Sequence, residues 1–132
     1  GMRFHTAVNK FCWQAVFGRP LTVWRTALHQ RRPYLDLADA LSAVFFFIDR
    51  KRFDGRIYNI VTDNLTVADI IAMIETHVPD PPVEYVDSEI MNQLSYEVSS
   101  LRVQGLGWRS AGSLEKGIAE TIELLRRAGG RP

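Results

Sequence analysis

Apolar residues recur at helical spacing through Ala7, Val8, Phe11, Cys12, Ala15 and Val16, and the run stops at Gly18 and Pro20, which predicts a first helix. Residues 21–24 and 34–37 alternate apolar with polar positions and read as short strands, with a polar loop between them that includes residues 29–32. Asp36 followed by Asp39 is an N-cap with a first-turn acid. Behind it, Leu41, Val44, Phe45 and Ile48 predict a buried helix that ends at the solvated charge cluster 49–52. Residues 56–61 predict a strand introduced by the turn Asp54-Gly55 and ending near Asp63 and Asn64. Thr66 and Asp69 form a second capping pattern ahead of Val67, Ile70, Ile71 and Ile74, an amphipathic helix that ends at Pro79. A rigid turn at 79–82 leads into a strand at 83–86, and residues 88–96 give no clean period. Ser99 and Ser100 are placed to cap a short helix stopped by Gly105 and Gly107. Ser113 opens a last helix with Leu114, Ile118, Ile122 and Leu125 on one face and Gly129 and Gly130 as its stop. Short strands alternating with about four to five helices indicate an α/β domain.

A chain of 132 residues that is 46% hydrophobic is long enough for one compact unit and too short for two, so residues 1–132 are expected to form a single domain, with Gly1 read as a tag scar. The longest apolar run, 43–48, is far short of the ~18 residues of a membrane span, and no signal-peptide pattern opens the chain. A cytoplasmic protein with no membrane partner is the expectation. The single cysteine, Cys12, shares the apolar face of the first helix and reads as core rather than as a reactive thiol. His5, His29 and His77 have no ligand-like spacing, so no metal site is expected.

The net charge of +1 conceals an asymmetry. Arg3, Lys10, Arg19, Arg25, Arg31 and Arg32 are the charged residues before position 36, and every Asp and Glu lies at Asp36 or beyond. Such a basic face either binds an anion or docks on the acidic remainder of the same fold. A nucleic-acid partner is not indicated, because the acidic remainder outweighs the basic stretch of Arg31 and Arg32 with Trp24 and Tyr34.

Several segments in order carry a resemblance. They are Met2-Arg3-Phe4 with Asn9; Gln30-Arg31-Arg32-Pro33-Tyr34-Leu35-Asp36-Leu37-Ala38-Asp39; Ile57-Tyr58-Asn59-Ile60; the helix opening at Thr66; and Leu106-Gly107-Trp108 followed by the helix that begins after Ser113. Together they resemble the C-terminal, substrate-binding part of the extended short-chain dehydrogenase/reductase family, the NAD-dependent nucleotide-sugar epimerases and dehydratases. The resemblance implies a substrate half-site without the redox half. The family binds NAD, or NADP, through a Gly-rich turn after its first strand and moves a proton with a Tyr that has a Lys four residues later. No Gly-x-x-Gly-x-x-Gly occurs here, and Tyr34, Tyr58, Tyr85 and Tyr96 are followed at that spacing by Ala38, Thr62, Glu89 and Ser100. No catalytic residue and no cofactor are therefore assigned to this chain.

The resemblance places the substrate diphosphate on Arg32, whose planar fork suits it; a salt bridge from Arg32 to Asp36 or Asp39 is the other reading. Asn9 matches an Asn that reaches the nucleotide in relatives, or else caps or packs locally. Tyr34 occupies an aromatic position that walls the nucleotide pocket, or is core. Asp39 matches an acid that buttresses the Arg-bearing loop, or is only a first-turn helix acid. Pro33, His5 and the Leu94-Ser95 pair depart from the family pattern, which leaves the base unspecified.

Two functions are carried forward. In the first the chain is the nucleotide-sugar-binding portion of an NAD-dependent epimerase or dehydratase, inactive by itself and completed by an N-terminal Rossmann domain. In the second it is a stand-alone interaction or oligomerisation module derived from that family. In relatives the equivalents of residues 57–61 and of the preceding helix pack on the large domain, so uncovered apolar surface there, and at 45–47, predicts self-association.

Overall fold

The computed structural model describes residues 6–87 and 95–129. Met2, Arg3, Phe4 and His5, the segment 88–94 with Leu94, and Gly130 lie outside the described residues. The elements run α1 (Ala7–Val16), β1 (Leu21–Trp24), a single 3-10 turn (Arg25–Ala27), β2 (Arg32–Tyr34), α2 (Leu37–Asp49), β3 (Asp63–Leu65), α3 (Val67–Glu75), β4 (Val83–Val86), α4 (Leu101–Gln104) and α5 (Leu114–Ala128). This is the small α/β domain of short strands and five described helices that the pattern predicts.

The strands pair as two separate ribbons. β1 and β4 run parallel, with Leu21 opposite Val83 and Trp24 opposite Val86, while β2 and β3 run antiparallel, with Arg32 opposite Leu65 and Tyr34 opposite Asp63. The main core gathers Phe11, Cys12 and Ala15 of α1, Leu21 and Val23 of β1, Ile70, Ile71 and Ile74 of α3, and Ile118, Ile122 and Leu125 of α5. Cys12 is fully buried there, and that burial pushes its thiol up to about 11. A smaller core holds Ala43, Val103 and Trp108, with Phe46, Phe47, Tyr58 and Ile60 packed against it.

The capping signals place the helix starts. Asp36 accepts from the Ala38 amide at 2.7 Å, Thr66 and Asp69 exchange the two bonds of a capping box, and Ser113 accepts from the Lys116 amide. α4 is capped one residue earlier than its boundary suggests, by Ser99 accepting from the Leu101 amide, while Ser100 accepts from Gln104. α3 ends at a Thr76 cap, before Pro79.

Three expectations are corrected. The strand expected at 34–37 lies at Arg32–Tyr34, because Asp36 is already the cap of α2. The strand expected at 56–61 does not form, since no neighbouring described strand offers a ladder to it, and the pairing falls on Asp63–Leu65 instead. The helix expected to bury Leu41, Val44, Phe45 and Ile48 exposes all four and turns Asp39, Ala43, Phe46 and Phe47 inward. The basic cluster after α2 is solvated and also fastens loops: Arg50 donates to the Leu106 carbonyl at 2.9 Å and lies over the Phe46 ring, and Arg52 reaches Asp54 and the Tyr58 hydroxyl.

Candidate substrate-side site

Burial along β1 decides which of its side chains can serve a site. Leu21 and Val23 are fully buried, which turns Thr22 and Trp24 to the opposite face of the strand. With Val23 of the same strand they line a cleft of about 260 Å³ together with Ala7, Lys10 and Phe11 of α1, Ala27 and Val67. Every residue of its wall except Val67 comes from the carboxylate-free first 35 positions. Gln14, buried beneath β1, donates to Thr22 Oγ1 at 3.2 Å and accepts from the Thr22 amide at 3.4 Å, and so fixes that strand against α1. The sequence reading missed Lys10, Thr22 and Trp24 as a group, although the alternation across 21–24 already put Thr22 and Trp24 on one face.

Arg32 opens β2 and is half-buried. Its Nη1 donates to the Arg31 carbonyl at 2.9 Å, its Nη2 donates to Gln30 Oε1 at 3.0 Å, and its guanidinium carbon lies 5.1 Å from the Tyr96 ring centre. The loop that brings Tyr96 there is held by several bonds: the Arg31 amide donates to Ser95 Oγ, Tyr96 donates to the Arg31 carbonyl, and Arg31 pairs with Glu97. Asn64 closes the loop from β3, exchanging two bonds with the Val98 backbone. Part of the acid-free segment therefore docks within the fold, through Arg31 to Glu97 and through the exposed Arg25 to Asp87.

Tyr34 packs against the main core, and burial raises its phenol above the usual range against the opposing charge of Arg32. Asn9 is half-buried on the first turn of α1, next to Lys10 of the cleft. Asp39 sits elsewhere. Its carboxylate accepts from Thr62 Oγ1 at 2.6 Å and from the amides of Ala111 and Gly112 at 2.9 and 3.0 Å, while Thr62 Oγ1 accepts in turn from the Asp36 amide. Burial pushes this carboxyl up, but the Thr62 hydroxyl and the two amides outweigh burial and hold it below the usual range. Gly112 is required at this crossing, since a Cβ there would stand 2.8 Å from Asp36 Cβ and from Asp39 Oδ2. Asp39 thus ties α2 to residue 62 and to the loop before α5. It also walls a second, polar cleft of about 350 Å³ with Asp36, Ser42, Ser113, Lys116 and Glu120.

The starts of α2, α3 and α5 bear on NAD, since a pyrophosphate is held at a helix start. α2, α3 and α5 each have their first turn closed by a side-chain cap and carry an acid in it, at Asp39, Asp69 and Glu115. These starts do not fit a pyrophosphate, which needs open amides and no negative charge beside them. Among the described residues no three His, Cys, Asp or Glu side chains stand together as metal ligands, and no helix is long and apolar enough to cross a membrane.

No protein-family model matches the chain. Curated sequences do. The chain is 32% identical to dTDP-D-glucose 4,6-dehydratase of Bos taurus, over 90% of its own length and 36% of that protein's. It is 38% identical to the chloroplastic UDP-sulfoquinovose synthase of Spinacia oleracea, over 54% of its own length and 15% of that protein's. The chain thus spans little more than a third, or less, of these curated relatives. Among solved structures it is similar to the UDP-glucuronic acid 4-epimerase of Bacillus cereus in complex with UDP-glucuronic acid and NAD, with a TM-score of 0.80 at 18% identity over 96% of this chain and 41% of that one. The UDP-glucose 4-epimerase of Thermus thermophilus in complex with NAD gives 0.75 at 22% identity, over 92% and 40%. At those identities the structures speak for the fold, and the curated sequences carry the relationship. Relatives and fold together place the chain in the extended short-chain dehydrogenase/reductase family of NAD-dependent nucleotide-sugar epimerases and dehydratases.

Proposed function

We propose that the chain is the nucleotide-sugar-binding portion of an NAD-dependent epimerase or dehydratase, folded as a single domain, residing in the cytoplasm and inactive without a dinucleotide-binding portion supplied from elsewhere. The observation that carries this reading is the cleft between α1 and β1, walled almost wholly by the acid-free segment and flanked in sequence by Asn9. An anion entering it meets Lys10 and no carboxylate in the wall, and a planar base meets the Trp24 indole and the Thr22 side chain. Arg32 is the diphosphate ligand in this reading. Its bonds to Gln30 and to the Arg31 carbonyl, with the Tyr96 ring beside it, hold the guanidinium in place. Tyr34 supports that strand from the core side, and Asp39 buttresses the neighbouring helix start. NAD, or NADP, belongs to the dinucleotide-binding portion in this reading.

NMR titration with UDP, dTDP and GDP tests this. Weak saturable binding is expected, with shifts at Arg32, Lys10 and Trp24, that falls as salt rises. Bonds to a charged group are worth roughly 1.5–3 kcal/mol each, so Arg32→Lys, which keeps the charge and loses the fork, should remove most of the affinity. Arg25→Lys, on an exposed and screened pair, should change little. Titrations without shifts at Arg32, or unaltered by Arg32→Lys, reject the half-site.

A second reading is favoured by one specific observation, the exposed apolar stripe of α2. It makes the chain an interaction module that retains the family fold.

A further inference from the structure

α2 ends in a turn that its residues do not favour. Arg50 is the cap, in the right-handed region, and Lys51 follows at φ +50°, the left-handed position at which a helix ordinarily places Gly. The amides of Arg50, Lys51 and Arg52 donate back to the carbonyls of Phe46, Ile48 and Phe47 at 3.3, 2.9 and 3.0 Å. The turn is thus closed by backbone alone, and a side chain with a Cβ is disfavoured at its centre. The lysine there serves something other than the turn.

The same turn sets three consecutive cations around one hollow. Arg50, Lys51 and Arg52, with Leu106 of the loop after α4, line a cleft of about 450 Å³ that has no carboxylate in its wall. Arg50 is oriented by uncharged groups: it donates to the Leu106 carbonyl at 2.9 Å, and its guanidinium carbon lies 4.2 Å from the centre of the Phe46 ring. Arg52 is steadied by Asp54 at 3.1 Å and by the Tyr58 hydroxyl at 3.2 Å. Asp54 offsets one charge of the three. The hollow is also separate from the exposed apolar stripe of α2. Steps of four, three and four residues lead from Asp39 through Ala43 and Phe46 to Arg50, the inward side of the helix, whereas Leu41, Val44 and Ile48 run down the outward side. A partner on the stripe lies across the helix from the hollow.

We propose that the turn 50–52 is an anion site that takes a phosphate group of a small molecule free in solution, with Lys51 as its central cation and the two guanidinium groups on either side. Two forked donors and a point charge around one hollow suit the several oxygens of a phosphate. The site shares no residue with the α1–β1 cleft, so it stands whether or not that cleft binds a nucleotide.

NMR titration of the intact chain with pyrophosphate, at an ionic strength held constant with sodium chloride, is the test. Saturable shifts are expected at the amides of 50–52 and of Leu106, and shifts at Lys10 and Trp24 in the same spectra report the nucleotide cleft separately. Lys51→Gly should weaken binding at the turn about tenfold or more, because a charge-assisted contact is lost. The same variant should raise the unfolding midpoint in urea, because Gly is at ease at a positive φ. Binding and stability then move in opposite directions, which a lysine that only complements the helix end would not produce. Lys51→Asn, also tolerant of that backbone, should repeat the loss of binding. No saturable shift at 50–52, shifts that sodium chloride alone reproduces, or an affinity unaltered by both variants overturns the proposal. Co-sedimentation with vesicles containing phosphatidic acid, abolished by both variants and unmatched by any response to pyrophosphate, would give the turn to a lipid surface and overturn the soluble ligand.

Discussion

Asp39 is 2% exposed and joins three parts of the chain, with Thr62 on one carboxylate oxygen and the Ala111 and Gly112 amides on the other. All three partners donate, so the arrangement is satisfied only while the carboxyl is deprotonated. The folded state therefore holds this acid below its ordinary range. The stability this contributes is fully present above the unfolded carboxyl value, near ~4, and is lost as pH falls through the lower folded value. Asp39→Asn keeps the shape and discards the charge. At pH 7 it should cost roughly 1–3 kcal/mol in urea unfolding, because the bonds to a charged acceptor become weaker neutral ones and the amide faces Thr62. The gap between wild type and variant should close as the pH is taken from 5 toward the folded value of Asp39. A gap that stays constant with pH would mean that geometry, not charge, is what Asp39 supplies.

At the scale of elements, what could be read from the sequence is what depends on near neighbours. Asp36, Thr66 and Ser113 announced the three longest described helices after α1, since a cap and the amides it serves lie within a few residues of each other. The strand expected at 56–61 failed for the opposite reason: its composition is β-like, but a ladder is made by a neighbour, and no local pattern reports whether one is present. The apolar spacing of α2 was legible, but which side of the helix turned inward was not. Ala43 faces Val103 and Trp108, some 60 positions away, and Trp108 fixes the face by donating from its indole to Ser42 Oγ at 3.1 Å. The capping box of α3 offers a direct measurement at this scale. Thr66→Ala removes the acceptor for the Asp69 amide and leaves that acid with one bond from the backbone of residue 66. Unfolding free energy should fall by about 1 kcal/mol, and amide exchange should speed up in the first turn of α3 before the rest. A loss spread evenly over the molecule would show that α3 does not fray from its start.

At the scale of the whole molecule, the sequence pointed to Arg32, Tyr34 and Asp39 by their order along one segment, yet that order does not make them one site. Tyr34 joins the core and Asp39 a separate polar crossing, while the cleft is assembled by Lys10, Thr22 and Trp24, whose convergence depends on how α1 lies across β1. The charge asymmetry divides in the same way, with Arg25 and Arg31 paired to acids of the later chain and Lys10 at the cleft. This division bears on which ligands the domain can take. A dinucleotide such as NAD presents a pyrophosphate that is best held by open amides at a helix start. Here α2, α3 and α5 begin with their amides already engaged by Asp36, Thr66 and Ser113, and with acids that repel a second negative charge. A nucleoside diphosphate asks less of the fold: one apolar wall for its base and a cation for its phosphates. Calorimetry on the isolated chain should accordingly show no saturable heat with NAD at concentrations where UDP or dTDP gives one, and the nucleoside diphosphate signal should weaken when Lys10 is replaced by Ala. Saturable micromolar NAD binding would mean that a pyrophosphate site exists away from these helix starts. Equal responses to NAD and UDP, both abolished by Lys10→Ala, would instead assign the cleft to the shared diphosphate alone and remove Trp24 as the part that reads the base.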